Sequence, residues 1–247
     1  MIESIYCVSL NRLSERRKKM IDTLTPFQND FDIYFYDAID WKETTMEEIN
    51  NQGFYIYDSW KIINSSNRWW NIDLRKGSIC NLIGQYSIWM HISENYNQAL
   101  ILEDDAWFSQ GVESFIDGIY YADKFMMEYE CDIFYLGCNP VNNSSIYFND
   151  MVEKCGYTFN SHAYIVSNKA AEVMVKSGIK EKLITTDEFI SSTYCEHPRE
   201  DIRNLHTSSN KLKAYKLTEE VVSQSISHET NISQSEVESS EFIEVRE

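Results

Sequence analysis

Four apolar residues, Ala99-Leu100-Ile101-Leu102, run without a break into three acids, Glu103-Asp104-Asp105. A short continuous apolar run suits a central β-strand covered on both faces. The acids then stand at its carboxyl end. Carboxylates gathered at the edge of an apolar interior lose hydration and repel one another, so they call for a cation. Hard divalent ions such as Mg²⁺ or Mn²⁺ take oxygen ligands, and ligand sites of open α/β sheets lie at the carboxyl ends of strands. Position and chemistry agree on a metal site. A solvated acidic turn leading into the next helix fits the same three residues.

The surrounding pattern predicts an α/β fold. Ile2–Leu10 is apolar and β-prone. Asn11–Leu24 carries Leu13, Met20, Ile21 and Leu24 near helical spacing, with Ser14 as a cap, and Asp32–Tyr36 reads as a second strand. That order predicts a parallel βαβ unit. Residues 41–76 are polar with interspersed aromatics, Phe54, Tyr55, Tyr57, Trp60, Trp69 and Trp70 among them. Loops and short helices over one sheet edge are expected there, with most of these rings in the core and stacking on sugars as the other reading. Ile79, Leu82, Ile83, Tyr86 and Met90 predict a helix over about 78–94, and Val112, Phe115, Ile116 and Ile119 another. Strands are expected at Asp132–Gly137, His162–Val166 and Lys213–Leu217, with Asn168 capping a helix that stops near Gly178. After about residue 231 the chain turns to Ser, Gln and Glu. The expected organisation is one domain over 1–230 and a flexible acidic tail over 231–247.

Composition removes several functions. A chain of 247 residues that is 43% hydrophobic and 14% aromatic can bury a large core, which excludes wholesale disorder. Its formal charge of −17 excludes a nucleic-acid binder. The basic run Arg16-Arg17-Lys18-Lys19 reads either as a solvated helix face or as a contact to ligand phosphates. Six cysteines without paired CxxC spacing read as reduced core thiols. With no secretory signal and no apolar stretch long enough for a bilayer, a cytoplasmic location without a membrane span is expected. No P-loop, GxGxxG or GxSxG is present.

Two further candidates stand outside the acid triplet. In Thr185-Thr186-Asp187-Glu188-Phe189, Asp187 reads either as a first-turn helix acid or as a general base for a hydroxyl. His228, in Ser227-His228-Glu229, reads as an ordinary surface or core histidine or as a further metal ligand. His91, His162, His197 and His206 have no better claim.

Taken in order, these segments resemble glycosyltransferase family 25, which includes lipooligosaccharide galactosyltransferases of bacteria and collagen β-galactosyltransferases of animals and large DNA viruses. Ile5–Arg12 with Arg16 looks like its opening strand and NLxRRxxR segment, and Asp37-Ala38-Ile39-Asp40 like its DAxD. Gly77–Cys80 through Ile88-Trp89 looks like GEIGCxLSHxxxW, and Leu100–Phe108 like its EDD segment. Asp132–Gly137, Ala163–Ser167 and Thr186–Phe189 look like DxxYLG, AYxIS and VDEF. The resemblance implies a GT-A (Rossmann-like) fold with a mostly parallel sheet flanked by helices. It implies inverting transfer of a hexose, galactose or glucose, from a UDP-sugar to a glycan or hydroxylysine-type protein acceptor, with Mn²⁺ or Mg²⁺. On that basis Glu103 and Asp105 hold the metal and Asp104 supports the donor. Ser9, Leu10, Asn11 and Arg12 line the uridine pocket, with Asp37 beside them. Asp187 is the base, and His228 a further metal ligand. A bacterium or a virus-infected cell is the setting expected for such an enzyme without a leader.

The chain also departs from the family pattern. The Ser-His pair falls at Gly84-Gln85 and the Glu after Gly at Ser78. This leaves room for a catalytically inactive nucleotide-sugar-binding or scaffold protein. A metal-dependent phosphoryl-transfer enzyme is a third class that uses acid clusters.

Overall fold

A computed structural model describes residues 1–142, 144–224 and 237–243. β1 (Ser4–Ser9) is buried at every position, as its apolar run requires. α1 (Ser14–Leu24) follows, burying Met20 and Leu24. β2 (Asp32–Asp37) then pairs in parallel with β1, completing the expected βαβ unit. Ser14 is the first residue of α1; Leu13 precedes it as N-cap without a side-chain bond.

Residues 41–75 hold one short helix, α2 (Met46–Asn51), closed by a reciprocal capping box between Thr45 and Glu48. α3 (Lys76–Asn95) is twenty residues long and buries most of its surface. β3 (Gln98–Glu103) comes next. Its core residues divide by the two-residue period of a strand. Ala99 and Ile101 enter the cluster that contains α3, while Leu100 and Leu102 enter the cluster on the other face. β4 (Ala106–Trp107) leads into α4 (Gly111–Tyr129), which covers that second face.

The remaining elements are β5 (Ile133–Pro140), β6 (Ile146–Asn149), β7 (Val152–Lys154), β8 (Thr158–Ser167), α5 (Asn168–Val175), α6 (Thr186–Tyr194), α7 (Glu200–Arg203), β9 (Ala214–Leu217) and β10 (Ser223–Gln224). Eight strands form one sheet in the order β2-β1-β3-β8-β5-β9-β7-β6. Following the pairings, six run in one direction and only β8 and β7 run against them. This is the α/β, mostly parallel and helix-flanked architecture expected. β8 starts at Thr158, four residues before the predicted strand.

Asn168 departs from its expected role. Ser167 caps α5, accepting from the Ala170 amide, and Asn168 is the first helical residue. The Asn168 amide instead donates to the carbonyls of Ile92, Ser93 and Tyr96 at the end of α3. It closes a different helix from the one it begins.

Of the aromatics in the irregular stretch, Phe54 and Trp60 are buried, Tyr57 and Trp70 pack partly on the core, and Tyr55 is half exposed. All six cysteines are free and five are buried. Within the segment expected to be an acidic tail, residues 237–243 pack on the start of α3. The Gly77 N–H donates to Ser240 Oγ, and Arg75 to the Ser240 carbonyl. No helix of the described residues is long and apolar enough to cross a membrane.

Candidate active site

The carboxyl ends of β1, β2 and β3 meet because their register sets Val8 beside Glu103 and Ser9 beside Asp37. A cavity of about 480 Å³ opens there. Ser9, Leu10, Glu103, Asp104, Asp105 and Asp187 all line it. Asn11, Arg12 and Asp37 stand outside its lining. Arg12 pairs with Asp40 at 2.6 Å, and Arg17 bridges Asn11 and Asp37. His228 lies outside the described residues.

The acid triplet is electrostatically uncomfortable. Burial, then the neighbouring Asp105, pushes Asp104 up to about 6. Burial and Asp105 raise Glu103, and burial raises Asp105 itself. Arg16 offers partial relief, its guanidinium 3.5 Å from Asp104 Oδ1. Glu103 accepts from Asn81 and Gln224, each at 3.3 Å. Asp104 Oδ2 and Asp105 Oδ1 are buried and meet no hydrogen-bond partner among the described residues.

A hard divalent cation fits this donor set. Among the described residues no three His, Cys, Asp or Glu side chains converge on one point. Mg²⁺-type sites commonly use one or two carboxylates together with substrate phosphates. The two orphaned oxygens match that count. Ser9, which also lines the cavity, has a buried Oγ without a partner among the described residues.

Asp187 sits in the first turn of α6, as one of its two readings required, and also faces the cavity. Its Oδ1 accepts from the Thr185 hydroxyl at 2.8 Å and the Glu188 N–H at 3.0 Å. Burial, and then the charge of Glu188, raises its pKa. A raised pKa suits a carboxylate that must take a proton near neutrality. Two hydrogen bonds link this helix to the acids: Thr186 donates to Asn81 at 2.6 Å, and Asn81 donates to Glu103.

Sequence reasoning missed Asn81, Gln224 and the pairing of Glu188. Gln224 carries no local signal; it arrives through the β10–β4 ribbon. Gly137 makes room for that approach, since a Cβ there would lie 1.9 Å from the Val222 carbonyl. The basic run divides: Arg16 faces the cavity, Arg17 braces β2, and Lys18 and Lys19 are exposed. At the family departures, Ser78 and Gly84 line the cavity, whereas Gln85 lies buried beneath it and accepts from the Tyr164 hydroxyl.

The model of glycosyltransferase family 25, described as LPS biosynthesis protein, matches residues 2–190. A glycosyltransferase 25 family member of Aedes aegypti is 22% identical over 222 residues, covering 87% of this chain and 34% of its own length. Procollagen galactosyltransferase 1 of Danio rerio is 22% identical over 219 residues, covering 86% and 35%. A probable inactive glycosyltransferase 25 family member 3 of Bos taurus is 22% identical over 210 residues, covering 81% and 33%. The chain thus spans about a third of the length of the curated relatives it matches. The matched stretch contains β1, the acid triplet and Asp187, and the chain belongs to glycosyltransferase family 25.

Proposed function

We propose that this chain is an inverting, metal-dependent hexosyltransferase that moves galactose or glucose from a UDP-sugar to an acceptor hydroxyl. The observation that carries the reading is one cavity holding both halves of the chemistry. Asp104 and Asp105, each with an orphaned carboxylate oxygen, and Asp187, a half-buried carboxylate of raised basicity, all line it. Galactose as donor sugar and a collagen-type acceptor are suggested by the Danio rerio relative's name.

Asp104 and Asp105 would hold Mn²⁺ or Mg²⁺ through those oxygens, in place of the Glu103 and Asp105 pair that the resemblance implies, with Glu103 bonded to Asn81 and Gln224. The bound ion supplies Lewis-acid stabilisation of the departing diphosphate. Arg16 adds positive charge on the same side. Ser9 and Leu10 receive the nucleoside end. Asp187 takes the proton of the acceptor hydroxyl as its oxygen bonds to the anomeric carbon. The bond from that carbon to the phosphate oxygen breaks, and the configuration inverts. No covalent sugar–protein bond is needed.

A second reading is a nucleotide-sugar-binding protein without turnover. It is favoured by the inactive bovine relative and by Gly84-Gln85 replacing the family pair.

The test is UDP release from a panel of UDP-sugars, with Mn²⁺ and with EDTA. Turnover of one donor that EDTA removes and Asp105→Ala lowers by roughly 10²- to 10³-fold supports the enzyme. Metal-dependent UDP binding without release, with and without a collagen-type peptide, supports the second reading. Absence of both binding and release sinks the nucleotide-sugar assignment.

A further inference from the structure

From residue 57 to residue 74 the chain has no helix or strand, yet this stretch supplies Trp60, Trp69, Asp73 and Leu74 to the cavity wall. Side chains must hold it in place. Trp70 Nε1 donates to Glu188 Oε1 at 2.7 Å. The Tyr157 hydroxyl donates to the same oxygen at 2.8 Å, and His197 Nε2 meets Oε2 at 2.5 Å. His197 Nδ1 accepts the Arg199 backbone N–H at 3.1 Å, so its proton sits on Nε2 and points at Glu188. Arg199 pins the other end of the stretch, donating to the Trp60 carbonyl at 2.7 Å with its guanidinium 4.8 Å over the Trp60 ring.

Glu188 is thus a buried carboxyl group, 2% exposed, that joins three separate segments to the first turn of α6. Asp187 is its neighbour in that turn. The N-cap of α6, Thr185, makes no side-chain capping bond; its hydroxyl donates to Asp187. The helix start is anchored by Glu188 instead.

We propose that Glu188, partnered by His197 and Trp70, is the positioning residue that fastens the 57–74 wall to the helix of the base and so sets the geometry at Asp187. This rests on Asp187 being the base. A carboxylate suits the position because it only accepts, and three donors converge on it. A glutamine of the same shape would turn its own N–H₂ toward at least one of them.

Glu188→Gln is therefore the test, with UDP-galactose and Mn²⁺ as the probe. Losing one hydrogen bond to a charged group should speed amide exchange over 58–74 by about tenfold and leave 98–105 unchanged. The kcat of UDP-galactose hydrolysis should fall by about tenfold with KM held within about twofold. Trp70→Phe should move both readouts the same way by less. Exchange over 58–74 equal to wild type overturns the proposal. So does acceleration of 98–105 in step with it, with KM and kcat moving together, since that marks a general loss of stability. If the wild-type protein releases no UDP, the transfer reading has failed, and the exchange measurement still decides whether Glu188 fastens the wall.

Discussion

Two sets of carboxylates face the same cavity, one buried and one half-buried, and they differ in what surrounds them. Glu188 has three donors, one each from Trp70, Tyr157 and His197. Glu103, Asp104 and Asp105 share weak contacts at 3.3–3.5 Å and leave two oxygens with no partner among the described residues. Burial of charge is tolerated only when compensated. The first set is compensated by the fold and acts as a fixed post. The second is left uncompensated among the described residues, and the proposed cation site rests on that difference. Acidity alone does not separate the two; the supply of donors does.

The comparison can be broken by opposite responses to neutralisation. Glu188→Ala strands three donors, two of them buried, and should lower unfolding free energy by roughly 3 to 5 kcal/mol, read by urea denaturation. A loss below about 1 kcal/mol would mean the network is solvated, as for an exposed pair.

The buried histidines near α6 sharpen the contrast. His197 has partners on both nitrogens, whereas neither nitrogen of His206 has one among the described residues, and His206 packs edge-on against Phe189 at 5.2 Å. Burial, then the charge of Lys182, lowers His206 from 6.5 to about 4. A histidine depressed in the folded state contributes stability above its unfolded pKa and loses it as pH falls through the folded one. Stability should therefore drop between about pH 6.5 and pH 4, by an amount on the order of 3 kcal/mol from this group. His206→Phe should flatten that limb of a melting-temperature profile; an unchanged slope would assign the acid sensitivity elsewhere.

The smallest effect is the most diagnostic. Asp105→Asn relieves repulsion in the triplet and should stabilise the metal-free protein by about 1 kcal/mol. With saturating Mn²⁺ the order should reverse, since wild type gains binding energy that the variant has lost. Destabilisation of the metal-free variant would show that Asp105 is already compensated.

Local pattern carried the βαβ start, the buried β3 run and the helices around it, because each rests on periodicity within one segment. Asn168 shows where that stops. Ser167 and Asn168 are both capping residues by type, and the choice between them depends on carbonyls some seventy residues earlier. Asp187 and Glu188 are the same problem in the site. Adjacent acids look alike in sequence, and residues 70, 157 and 197 decide which one is tied down.

By itself the sequence determined the α/β class, the acid triplet at a strand end and the position of Asp187 on a helix start. Each follows from the order of apolar and charged residues along a few turns or strand repeats. The tertiary structure alone decided that β8 runs between β3 and β5, that Gln224 returns to Glu103, and that Arg12 pairs with Asp40 and Arg17 with Asn11 and Asp37. Those outcomes depend on which distant donors and acceptors meet. A buried polar group takes whatever partner the packed chain brings within hydrogen-bond reach, and no local pattern encodes that partner.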